Sequence, residues 1–134
     1  MQRRLIPILI ASTALAAPLA AQEAAPAADT THAILIRAMK ADLRSLVQQQ
    51  KLFFARRQRY ADSTSLVHFT PATRGVLRIL SAGPDGWSGV LTAAEPGVSC
   101  GVYVGAAVAP NAAVLADGEP GCWYRRRDGL LVGV

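Results

Sequence analysis

Between Ile36 and Phe54 apolar residues recur at steps of three and four, at Ile36, Met39, Leu43, Leu46, Val47, Phe53 and Phe54. Arg37, Lys40, Arg44, Gln48, Lys51 and Arg56 take the other face of the same stretch. That period belongs to an α-helix with one side built to lie on another layer. Asp29, Thr30 or Thr31 offers a side-chain oxygen to the unpaired amides of a first turn. The helix is therefore expected from Thr31 to about Tyr60, ended by Ala61-Asp62-Ser63-Thr64. At ~1.5 Å per residue it would run ~45 Å, longer than a small domain is wide, so its first turns should project or need a partner.

After Pro71 the pattern changes to β. Gly75 to Ser81 and Trp87 to Ala93 read as strands joined by Gly83-Pro84-Asp85-Gly86, four strong turn formers, and so as an antiparallel hairpin. Ser99 to Ala107 is a third strand, followed by a loop rich in Pro, Asn and Gly up to Gly121. Cys122 to Arg126 and Leu130 to Val134 form a last pair around Asp128-Gly129. The fold class is α+β, one helix packed on an antiparallel sheet of four or five strands. Trp87 opens a strand after a tight turn, and a small domain with 6% aromatic residues needs that ring inside.

The first residues carry a different message. Arg3 and Arg4 precede an apolar stretch, Leu5 to Ala17, and small residues end it near Ala21, the layout of a secretory signal peptide. Residues 1–21 are expected to be that signal, residues 22–30 a flexible lead-in rich in Ala and Pro, and residues 31–134 one globular domain. The apolar stretch is shorter than the ~20 residues that span a bilayer, so membrane contact is expected only if it is retained. Its removal lowers the formal charge from +5 to +3. Cys100 and Cys122 are the only cysteines, and an even count in an exported chain points to a disulfide. The expected location is the periplasm or the cell exterior.

Leu43-Arg44-Ser45-Leu46 with Gln50, Phe53-Phe54-Ala55, Tyr60-Ala61, Phe69-Thr70-Pro71, Asp85-Gly86-Trp87-Ser88-Gly89, Cys100-Gly101-Val102-Tyr103-Val104-Gly105 and Gly121-Cys122-Trp123 occur in an order that resembles the globular half of a type IV pilin or pseudopilin. The resemblance covers Asp42 to about Trp123, and in it an ordinary secretory signal stands where a prepilin leader would. It implies a helix laid across the sheet, a disulfide clamping the C-terminal strands, and a role in a type IV pilus or a type II secretion-like assembly. Partners would then be pilin or secretion-system subunits, or further copies of this chain through Ile34, Ile36, Met39 and Leu43.

Reacting groups are sparse. No Gly-x-Ser-x-Gly elbow, Gly-rich phosphate loop, His-Glu-x-x-His pair or carboxylate cluster is present, and His32 and His68 stand apart, each with a solvated surface position as the default. The expectation is a protein that is not an enzyme, with no catalytic residues, metal, cofactor or small-molecule substrate. The charge clusters Lys51, Arg56, Arg57 and Arg59, and Arg125, Arg126 and Arg127, lie near Phe54, Tyr60, Trp123 and Tyr124. Cations beside aromatic rings are the means of tracking DNA or an envelope polymer, so a soluble polyanion-binding module is the alternative reading. The competing role for these arginines is to solvate an outer face or guard an edge strand.

Overall fold

A computed structural model of the chain describes residues 27–94 and 97–134, with side chains from residue 31 onward. The expected signal peptide, residues 1–21, lies outside the described residues. Helix α1 spans Ala27–Arg57 and is followed by strands β1 (Val76–Ala82), β2 (Gly86–Thr92), β3 (Val98–Gly105), β4 (Gly121–Arg125) and β5 (Leu131–Gly133). The strands pair in the order β1-β2-β3-β4-β5, each antiparallel to the next, as a meander. This is the α+β arrangement expected, with five strands and one helix among the described residues, the helix resting on β3 and β4.

Both helix ends differ from expectation. The helix is already formed at Ala27, the first described residue, ahead of the anticipated cap, in keeping with two good helix formers, Ala27 and Ala28. It stops at Arg57, because Gln58 turns left-handed (φ 55°) while its amide still donates to the Phe54 carbonyl at 2.8 Å. Tyr60 then gives its amide to the Gly83 carbonyl at 3.0 Å and sets its ring against Phe54, centroids 4.7 Å apart. The helix end is thereby tied to the β1–β2 turn.

Met39, Leu43, Leu46 and Val47 form the buried stripe of α1. Side chains alternate across a sheet, so Leu77 and Ile79 of β1, Trp87 and Leu91 of β2, Val98, Cys100 and Val102 of β3, and Cys122 and Tyr124 of β4 all face that stripe. Trp87 is fully buried, as expected, and its indole N–H has no hydrogen-bond partner among the described residues. Cys100 and Cys122 are cross-strand partners and are joined in a disulfide, Cα atoms 4.0 Å apart.

Two buried polar side chains hold the long connection from α1 to β1. The Gln50 amide donates to the Ala61 carbonyl and accepts from the Ala61 amide, both at 2.8 Å, copying a strand pairing with one side chain. Asp42 accepts from the Ala72 and Thr73 amides at 3.0 Å and from the Thr73 hydroxyl at 2.6 Å. Backbone groups that a connection would otherwise bury unpaired are satisfied this way.

On the far face of the sheet Gly101 and Gly121 stand opposite each other, one residue along from the disulfide cysteines. The β3–β4 loop lies on them: a Cβ at Gly101 would come within 2.8 Å of the Pro110 ring, and one at Gly121 within 2.1 Å of the Ala113 carbonyl. Two bonds pin the returning arm of the loop. Asp117 accepts from the Gly105 amide at 2.9 Å, and the Gly118 amide donates to the Tyr103 carbonyl at 2.8 Å.

Candidate functional site

Ala33, Arg37, Lys40 and Arg44 are separated by steps of four, three and four, which places them on one stripe of α1 beside its core face. Opposite that stripe the sheet presents Val98 at the start of β3, Tyr124 on β4 and Val134 just past β5. Between the two walls runs a groove of about 710 Å³, with Ile36 and His32 also lining it. A volume of that order is typical of ligand sites, roughly 300–1,000 Å³.

The charged side chains of its lining are of one sign. No carboxylate side chain lines the groove among the described residues, while Arg37, Lys40 and Arg44 all do. Arg44 meets Glu119 of the β3–β4 loop at 3.4 Å, with both side chains more than half exposed. A pair so wet is worth about 0–1 kcal/mol and yields readily to a competing anion. Arg37 and Lys40 are in neither of the ion pairs found among the described residues, Arg44–Glu119 and Arg126–Asp128. Among the described residues the lining supplies no hydroxyl or thiol apart from the Tyr124 phenol, and its cations beside apolar groups suit it to recognition of an anion with apolar parts.

The cations expected to form a polyanion site are distributed over several surfaces. Arg57 and Arg59 share a hollow with Asp62, Tyr60 and Leu66, whereas Arg56 borders a smaller one with His68 and Gln49. Lys51 lies with Arg44, Asp117 and Glu119, on a surface of mixed sign. Arg125 closes β4 and donates to the Gly129 carbonyl at 3.5 Å; Arg126 and Arg127 fall in the β4–β5 turn, beyond the strand expected to reach Arg126, and Arg126 pairs with Asp128 at 3.5 Å. All seven side chains are exposed.

The four self-association residues also divide. Ile34 is 63% exposed and Ile36 is half-buried at the groove, while Met39 and Leu43 are at 0% within the core. The helical period that places Met39 and Leu43 on the apolar face is the reason the sheet takes them. His68 is exposed in a turn with φ 50°, and His32 is half-buried at the groove. No group of three or more His, Cys, Asp or Glu among the described residues is placed to hold a metal ion. No helix among them is long and apolar enough to cross a membrane.

From sequence alone Arg37, Lys40 and Arg44 belong only to an outer helix face. The signal that marks them is their 3-and-4 spacing without an acidic residue three or four positions away, which on a solvated helix would ordinarily supply neutralising pairs. Tyr124 was legible as an aromatic near cations, but its place on the wall facing α1 depends on pairing between strands. Compared with known protein families, curated proteins and solved structures, the chain matches none, and its functional reading rests on its own residues.

Proposed function

We propose that this chain is an exported, non-enzymatic, pilin-like protein that works by assembly or binding in a type IV pilus or type II secretion-like setting. The observation that carries the reading is the first part of the described helix surface. No residue from Thr31 to Ala38 is buried, and Ile34 is 63% exposed, although the helix continues without a break into the core at Met39. Ile34, with Leu35 and Ile36 half covered beside it, gives this end of the helix an apolar surface of the kind that an amphipathic partner helix could cover. The helix-on-sheet architecture and the disulfide-bounded loop support the same reading, and a disulfide fits an oxidising, exported location.

Sedimentation velocity on the exported protein tests it. Self-association that resists salt and is abolished by Ile34→Asp is the expected result. A chain that stays monomeric up to roughly 0.5 mM, and captures no filament or secretion subunit, would exclude the reading.

A second reading, a soluble binding module for DNA or an envelope polymer, draws on the exposed Arg56 and Arg57 in the last helical turn with Arg59 just beyond. Its signature is binding of a single-stranded oligonucleotide that falls steeply with added salt, in proportion to the phosphates neutralised. Salt-independent binding, or none, removes it.

A further inference from the structure

We propose that the groove between α1 and the β3–β5 side of the sheet takes an extended peptide segment of a partner protein in which acidic residues alternate with apolar ones. The inference rests on the reading that this chain acts by binding, and adds the site and the chemistry of the partner.

The argument is one of charge spacing. Arg37, Lys40 and Arg44 form a row that rises by three and then four residues, ~10 Å in all. A ligand with a single anionic head satisfies one of them and leaves the others unneutralised. An extended peptide places same-side residues ~7 Å apart, so two or three acidic side chains span the row. The side chains between them point the opposite way, onto Tyr124 and Val134 of the facing wall, which rests on the buried Val98. All three cations stand on the helix wall, beside Ala33 and Ile36, and the sheet wall carries none among the described residues, a difference that corresponds to the two sides of one alternating strand.

The same asymmetry disfavours other occupants. A second copy docked with its two-fold axis through the row would bring the cations against themselves. A nucleic acid would set charged phosphates against an apolar wall that holds a single aromatic ring, Tyr124. The weak Arg44–Glu119 pair shows the chain's own carboxylate at one end of the row, in the role a partner carboxylate would take over.

The test is titration calorimetry of the exported protein with a blocked octapeptide alternating Glu and Leu, beside its Gln-for-Glu counterpart and dodecanoate. The acidic peptide should bind, with amide shifts at Val98, Tyr124 and Val134 by NMR. Lys40→Glu should weaken it by about tenfold or more, while Arg78→Glu, the same charge change on exposed β1, should leave it within about twofold. Equal loss in both variants, equal binding of the Gln peptide, tighter binding of dodecanoate, or no binding would each overturn the proposal. Sedimentation of the same samples separates the two readings. A chain that assembles but ignores the peptide refutes this inference alone, and one that takes the peptide as a monomer refutes assembly alone.

Discussion

The two halves of the surface of α1 obey different rules. From Met39 to Gln50 every third or fourth residue is buried, and two of those residues, Asp42 and Gln50, are polar. From Thr31 to Ala38 none is buried, and the apolar residues Ile34, Leu35 and Ile36 are left exposed or half covered. The backbone is the same continuous helix in both. The difference teaches that periodicity places residues on a face, but the extent of the sheet decides how much of that face is used for stability and how much is left for contact.

Substitutions in the buried half should therefore cost stability, and those in the first half should cost binding. Leu43→Ala should show the largest effect, about 3–4 kcal/mol in denaturant unfolding, from lost burial and the cavity left beneath the sheet. Cys100→Ser with Cys122→Ser should cost about 3 kcal/mol, because the bridge closes a separation of 22 residues. An unchanged melting temperature under reducing conditions would contradict that. Gln50→Ala leaves the Ala61 amide and carbonyl without their partner and should cost about 2–3 kcal/mol. If Gln50→Ala is silent, the post-helix clamp does not contribute to stability as described.

Asp42→Ala should cost about 2 kcal/mol and raise amide exchange at Ala72 and Thr73, whose donors lose their acceptor. Ile34→Asp stands at the other end of the scale. It should change stability by less than about 0.5 kcal/mol, since the residue is exposed, while abolishing self-association. A large stability loss at Ile34 would dissolve the contrast between the two halves of the helix.

Much of the fold was legible because it is written in short-range patterns. The hairpin turn at Gly83 to Gly86 has its backbone bond from the Gly83 amide to the Gly86 carbonyl, and each strand came within one residue of its expected start. The helix ends were less legible. Gln58 in a left-handed conformation carries no warning in its residue type, whereas a glycine there would have announced the stop. The expected cation clusters were read along the chain, where Arg56, Arg57 and Arg59 are neighbours, but successive helical positions point about 100° apart. Arg56 and Arg57 consequently border different hollows.

By itself the sequence determined the α+β class, the pairing of its two cysteines and the burial of Trp87, since periodicity, cysteine count and turn chemistry are local or exhaustive signals. Only the tertiary structure decided that Asp42 would hold a turn thirty residues away, that the β3–β4 loop would lie on Gly101 and Gly121, and that Arg37, Lys40 and Arg44 would face Tyr124 across a groove. Each of these depends on which flank of the helix meets which strand. That choice is made by the summed packing of the core, and no single stretch of residues encodes it.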